Sequence, residues 1–351
     1  MNKQPTFDEI FTFSNLVKSA EECCKGVRWK QSTQAFEIDM YSWCSDLYYK
    51  IHNGTFKTKG FTNFYISERG KTRFIQSVHI SERTVQKCLT QYGLKPILVP
   101  SLIYDNAASL KGKGTDFAIK RLREHLQHHF AIRKLQGGIL IGDFHDYFHS
   151  INHEILLNKL REKIKDNKLY EMTKYFIDCF PGDTGLGLGS EISQICAIYY
   201  LNEMDHKISE QCGIEKYARF MDDFYVINDD IETLKNILNV IVGVAKDYKI
   251  ELNKKRTHIY AFSKFPVFTY LKCKTTLSDS GKIIMRNVPQ NYKTKRHLIK
   301  KQKHMIETGI IDNSYAEQSL KTWRSYALKR KQSFQSVHSI CDFYANVIGG
   351  K

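Results

Sequence analysis

The sequence predicts an α+β fold. Three observations carry that expectation: helical periodicity dominates both ends of the chain, short alternating strand patterns fill its middle, and tight polar turns join successive strands. At 351 residues, with 42% hydrophobic and 13% aromatic content, the chain has core material for one large or several modest domains.

Taken in order, "SNLVKSAEECCKGV" and "AFEIDMYSWCSDLYYKI" place apolar residues three and four apart, so the opening segment to about Ile51 reads as helices. "FTNFYIS" and "TRFIQSVHI", joined by "ERGK", read as a β-hairpin with a basic tip. A helical "SERTVQKCLTQYGL", a loop "DNAASLKGKGTDF" and a helical "AIKRLREHLQHHF" follow, leading into the strand-like "GGILIGDFHDYF". Helical periodicity returns from Ile151 to Phe180. The glycine-rich "PGDTGLGLGS" then starts a helix over "EISQICAIYYLNEMDHKI", and Ser190 is its candidate cap. "KYARFMDDFYVI" reads as strand, turn, strand; "DIETLKNILNVIVGVAKDYKI" as an amphipathic helix; the residues up to Met285 as short strands. Near Asn291 the composition turns basic and helical, which marks a domain boundary.

The formal net charge is +16 and the sequence pI about 9.3, which points to a polyanionic partner, nucleic acid before membrane surface. No apolar run approaches the roughly 18 residues needed to cross a bilayer, and the first residues lack a basic-then-apolar export layout. Nine cysteines, an odd number without a CxxC, read as reduced thiols and not as a zinc site; with that, a cytoplasmic location is expected. His125, His128 and His129 in "HLQHHF" have no acid or cysteine at matching spacing, so they read as a solvated helix face.

Two stretches carry chemistry. "YARFMDDFYVI" sets Asp222 and Asp223 inside an apolar, aromatic run, where a desolvated carboxylate needs a partner or a metal. Taken alone, a hairpin tip that happens to be acidic explains it as well. "GDFHDYFHSI" supplies a second acid, Asp143, behind the apolar "GILI". If the two strands neighbour each other in one sheet, the acids converge, and a divalent cation such as Mg²⁺ would neutralise them. Two such ions suit nucleotidyl transfer.

With those motifs in place, the sequence resembles the bacterial branch of the reverse transcriptases. "GDFHDYFHSI", "GLGLGSEISQ", "YARFMDDF", "ELNKKRT" and "FTYLK" occur in the order and spacing of that family's palm motifs; "GKTRFIQSVHISERTVQ" and "DNAASLKGKGTDFA" are similar to its fingers motifs. The resemblance runs from about Lys25 to Met285. It implies a right-hand polymerase: fingers with an N-terminal helical extension over residues 1–135, interleaved with part of the palm; a palm of antiparallel sheet backed by helices over 136–285; and a helical thumb over 286–351.

The resemblance also implies roles. Asp143, Asp222 and Asp223 match the catalytic metal ligands, with the backbone carbonyl of Phe144 as a further ligand and two Mg²⁺ ions, or Mn²⁺, as cofactors. Phe220 stands where Tyr is usual. Lys71 and Arg73 would meet the triphosphate; Tyr147, Phe148, Gly189 and Gln194 would surround the incoming dNTP, with the Phe148 ring excluding a 2′-hydroxyl; Asp146 reads as structural or capping. Gly187 replaces the Pro that is usual in its loop. Lys111 and Lys113 would hold template backbone, Lys272, in place of a usual Gly, the primer grip, and Arg296, Trp323 and Arg324 the departing duplex. Asn253, Arg256 and Thr257 match a motif that usually ends Lys-Thr, so Arg256 is assigned charge stabilisation.

The implied partners are an RNA template, a DNA or RNA primer, dNTPs and a cognate non-coding RNA, with an accessory protein or homo-oligomer as further candidates and no membrane. The thumb shows no clear Val-Thr-Gly of retron enzymes, and "GLGLGSEISQ" departs from the diversity-generating retroelement pattern, so an antiphage-defence enzyme is expected. Diversity-generating retroelement synthesis, template-independent or protein-primed synthesis, and an inactive RNA-binding palm are the alternatives.

Overall fold

A computed structural model describes residues 3–68, 71–287, 290–329 and 334–349. Among these residues ten strands form three sheets. β1 (Thr62–Glu68) and β2 (Lys71–Ser77) are an antiparallel hairpin whose register runs from Thr62–Ser77 to Glu68–Lys71. β3 (Gly138–His145), β4 (Tyr217–Phe220), β5 (Asp223–Asn228), β6 (Glu251–Leu252) and β7 (His258–Ala261) form a five-stranded sheet ordered β4-β5-β3-β6, with β7 also on β3. β8 (Phe268–Tyr270), β9 (Cys273–Leu277) and β10 (Ile283–Asn287) form an antiparallel meander. The mixed helix and antiparallel sheet agree with the α+β expectation.

The chain divides into two compact units. The first comprises Met1–Ala118, Gly142–Val226 and Glu232–His258. Its helices start where the sequence supplies caps: Thr6 and Glu9 form a reciprocal capping box, and Asn152, Asp166 and Ser190 each accept a first-turn backbone N–H. The helix Ile231–Asp247 buries Leu234, Ile237, Ile241 and Val244, the three- and four-residue stripe read from sequence. The helix expected over "EISQICAIYYLNEMDHKI" is instead broken: Glu191–Tyr200 ends at Leu201, whose φ of −96° and ψ of 13° leave the helical region, and Asn202–His206 follows. Beyond that break Asp205 is fully buried.

The second unit comprises Ile119–Ile141, Ile227–Ile231 and Ile259–Lys351. Its helices Gln290–Glu307, Asn313–Lys329 and Phe334–Val347 pack on one another and bury Ile299, Ala316, Ala327, Val337 and Ile340. Lys295 is buried among them and donates to the Ser319 carbonyl and hydroxyl, both at 3.1 Å; burial pushes its ammonium down to about 8. The histidine-rich helix differs from the solvated face expected of it. His125 and His129 are buried, the first accepting from the Arg121 guanidinium at 2.9 Å and the second donating to the Gln136 carbonyl at 2.8 Å; only His128 is exposed. No helix among the described residues is long and apolar enough to cross a membrane.

Candidate active site

β3 and β5 are neighbours in the central sheet, and that adjacency brings the acids together. β3 continues through Asp143 to His145, so Asp143 projects from within the strand and is only 3% exposed. β4 and β5 are closed by the turn at Met221 and Asp222, with Phe220 opposite Asp223. Met221 takes a φ of +59°, the left-handed region that L-residues disfavour. The Asp222 carbonyl accepts from Phe144 N–H at 3.3 Å, tying that turn to β3.

Gly142 explains how the strands come so close. A Cβ there would lie 2.1 Å from Cζ of Phe224, so the ring beside Asp223 packs directly over the glycine beside Asp143. Carboxylate oxygens of Asp143, Asp222 and Asp223 all fall within 4.8 Å of one another, the sole His/Cys/Asp/Glu cluster of metal-holding geometry among the described residues.

The opposing charge comes from the segment after β6. Asn253 N–H donates to the Asp143 carbonyl at 2.8 Å and its side-chain amide to Asp143 Oδ2 at 3.1 Å. Arg256 spans two of the acids: NH1 lies 2.7 Å from Asp143 Oδ2 and NH2 lies 3.3 Å from Asp223 Oδ1. Burial first, and the Asp143 carboxylate second, push the Asp222 carboxyl up to about 6. Asp143 Oδ1 is buried without a hydrogen-bond partner. A hard divalent cation fits this donor set, because it would satisfy that orphaned oxygen and relieve the repulsion between the Asp143 and Asp222 carboxylates that raises the Asp222 carboxyl.

Around the triad, Tyr147 is buried and donates its hydroxyl to the Ala197 carbonyl at 2.6 Å, so its side chain is committed to the core and does not face a nucleotide. The half-buried Phe148 ring meets the Tyr147 ring edge-on, 6.1 Å between centroids. Asp146, at a φ of +43°, bonds His149 Nδ1 at 2.7 Å, the structural role expected. Ser190 caps its helix as expected and donates to Gln86 Oε1 at 2.9 Å. Gly189 needs its φ of +112°, whereas Gly187 is required by packing, since a Cβ would sit 2.4 Å from the Phe180 ring. Gln194 is exposed and lines a cavity of about 230 Å³ with Lys95, Ser109, Glu191 and Ile195.

Lys111 is exposed, but Lys113 is committed to the chain: its ammonium donates to the carbonyls of Tyr104 at 2.5 Å and Asn106 at 3.2 Å and sits 4.9 Å over the Tyr104 ring. Lys71 and Arg73 lie on β2, and their side chains fall outside the described residues. In the second unit, Lys272 occupies the β8–β9 turn at a φ of +62°, a conformation that accounts for the glycine usual there. Arg296 donates to Ser339 Oγ at 2.8 Å and lines a groove of about 410 Å³ with Tyr292, Lys293, Gln335 and Ser336. Trp323 packs against Tyr292 at 6.1 Å, and Arg324 is exposed.

Sequence reasoning passed over two contributors: Gly142, and the buried pair Arg219–Asp205 beneath the acidic turn. Each left a trace in the sequence, a glycine directly before the strand acid and an arginine two positions from an inward tyrosine.

The family model described as reverse transcriptase (RNA-dependent DNA polymerase) matches residues 56–295. The chain belongs to the reverse transcriptase family. Members of that family are described as RNA-dependent DNA polymerases. No curated protein matches this chain's sequence. Among solved structures, this reverse transcriptase is similar to apo telomerase from Candida tropicalis truncated from its C-terminal domain, at 15% identity and a TM-score of 0.50, over 64% of this chain and 54% of that one. It is also similar to telomerase from Candida albicans in complex with a TWJ fragment of telomeric RNA, at 11% identity and a TM-score of 0.49, over 84% of this chain and 62% of that one. The chain thus spans less than two thirds of either telomerase chain. The Candida tropicalis likeness concerns the fold, the right-hand polymerase fold expected from the motifs.

Proposed function

We propose that this reverse transcriptase copies RNA into DNA from dNTPs. In this reading Asp143, Asp222, Asp223 and the Phe144 carbonyl hold two divalent cations, Mg²⁺ or Mn²⁺. The observation that carries it is the convergence of three carboxylates from two separate stretches within 4.8 Å, one oxygen of which is buried and unpartnered. Bound there, the cations would lower the pKa of the primer hydroxyl and take up charge on the departing pyrophosphate.

The chain's own residues do the rest. Asn253 orients Asp143, and Arg256 supplies fixed positive charge beside the triphosphate. Lys71 and Arg73 of the hairpin clamp phosphates. The Phe148 ring fills the space a 2′-hydroxyl would need, while the 189–194 segment faces the nascent base pair through Gly189 and Gln194. Residues 1–135, 136–285 and 286–351 act as fingers, palm and thumb. Lys111 and Lys272 contact template and primer, while Lys113, held by the Tyr104 and Asn106 carbonyls, shapes the loop that presents Lys111. Arg296, Trp323 and Arg324 contact the duplex leaving along the basic helices, with affinity that falls steeply in salt.

The biological setting we infer is cytoplasmic antiphage defence with a dedicated non-coding RNA. The net charge of +16 supports an RNA partner, and the missing Val-Thr-Gly and the departures in "GLGLGSEISQ" support the defence assignment over retrons and diversity-generating elements.

Primer extension on an RNA template tests the chemistry. RNA-dependent extension by the wild type that drops at least about a thousandfold in Asp222→Ala is expected. Extension without template, or product linked to protein, would contradict RNA copying, and inactivity of the wild type would contradict polymerisation itself.

A further inference from the structure

The charges buried directly beneath the acidic turn belong to Arg219 and Asp205, both 0% exposed. The guanidinium forks onto the carboxylate, Nε to Oδ1 at 2.7 Å and NH2 to Oδ2 at 2.6 Å. Two further N–H donors reach backbone carbonyls, Ile198 at 2.8 Å and Met221 at 2.9 Å. Asp205 is itself locked, accepting from Tyr217 Oη at 2.6 Å and Asn106 Nδ2 at 3.4 Å. The backbone of Arg219 is held as well: its N–H donates to the Asp105 carbonyl at 3.2 Å, and its carbonyl accepts from Ala107 N–H at 3.1 Å.

A buried ion pair is a poor way to gain stability, since desolvating two charges cancels most of their attraction and an apolar pair would pack as well. An apolar pair could not, however, hold a carbonyl. Met221 is the residue held, and it sits at a φ of +59° that its side chain disfavours. The next residue is Asp222, whose carbonyl is held from the other side by Phe144 N–H. The turn is therefore pinned upstream by a side chain and downstream by β3.

We propose that Arg219, locked by Asp205 through Nε and NH2, is a positioning residue for the metal centre: its NH1 fixes the Met221 carbonyl and so aims Asp222 at Asp143. The proposal rests on reading the acidic triad as that centre. It follows that charge alone is insufficient, because a lysine ammonium has no planar fork to hold Asp205 and two carbonyls at once.

The experiment compares full-length wild type, Arg219→Lys and the charge-free double variant Arg219→Met/Asp205→Asn, in which the Asn still accepts from Tyr217. Mn²⁺ binding by electron paramagnetic resonance, melting temperature in EDTA, and kcat and KM for dNTP are measured. Both variants should fold in EDTA, bind Mn²⁺ on the order of tenfold or more weakly, and lose kcat with KM for dNTP little changed. Adding Met221→Gly to Arg219→Lys should recover part of the Mn²⁺ affinity, because glycine takes the turn conformation unaided. Wild-type Mn²⁺ affinity in either folded variant overturns the proposal. Collapse of both variants in EDTA overturns it equally, by assigning the pair to fold stability. A wild type whose Mn²⁺ binding is unchanged by Asp222→Ala would instead sink the triad reading itself, whatever Arg219 does.

Discussion

Two arginine–carboxylate centres lie on either side of the acidic turn, and they are built in opposite ways. Arg219 is fully buried, bidentate on Asp205, with two further donors spent on backbone carbonyls. Arg256 is 54% exposed and makes one contact each to Asp143 and Asp223, the second at 3.3 Å. The first arrangement cannot rearrange without leaving a buried charge unpaired. The second is open on one side only: Arg256 reaches solvent while the Asp143 side chain beneath it is 4% exposed, so a cation can take the place of the guanidinium and keep that charge paired. One arginine belongs to the frame; the other guards a site that must open to cations.

That contrast can be broken in three ways, in order of expected size. The largest concerns Asp222, whose carboxyl is raised to about 6 by burial and by Asp143. A raised acid pKa means the folded state is penalised once the group ionises. Without divalent cations the penalty is absent below about pH 4, grows as pH rises to about 6 and is fully present at pH 7. Asp222→Asn should therefore raise the melting temperature of the metal-free protein at pH 7, by at most about 3 kcal/mol of stability, and flatten its dependence over pH 4 to 6. Thermal melts in EDTA measure it; a lower melting temperature in the variant would contradict the account.

Next is Gly142→Ala, which drives a methyl into the Phe224 ring. Overpacking of this kind costs about 1–3 kcal/mol, and here it also pushes apart the strands that carry Asp143 and Asp223. Denaturant unfolding and primer extension should both show a loss, with extension falling more than stability alone explains. The smallest effect is the most discriminating. Arg256→Ala removes a competitor for the carboxylates, so Mn²⁺ should bind a few-fold more tightly, by about 1 kcal/mol or less, while extension slows. Titration calorimetry reads the sign, and weaker Mn²⁺ binding would show that Arg256 supports the cation site and does not compete for it.

The strands, the hairpins, the Ser190 cap and the convergence of the three acids were legible in the sequence, because each rests on local pattern or on charges that demand a common counter-ion. Arg219 was not, since its partner Asp205 lies on a helix fourteen positions earlier and only the fold brings them together. Nor was the fate of polar atoms on otherwise well-placed residues. The Tyr147 hydroxyl goes to Ala197 and the Lys113 ammonium to Tyr104 and Asn106, contacts set by tertiary packing that periodicity does not encode. His125 and His129 were read as solvated for the same reason: spacing gives a helix face, not what covers it.

The central claim is that Asp143, Asp222 and Asp223 form a divalent-cation site. Direct titration of Mn²⁺ into the purified protein tests it, with Mg²⁺ as competitor. Saturable binding that Mg²⁺ displaces, and that disappears when Asp143 and Asp222 are both changed to Asn, is the predicted result; binding that survives in the double variant contradicts it.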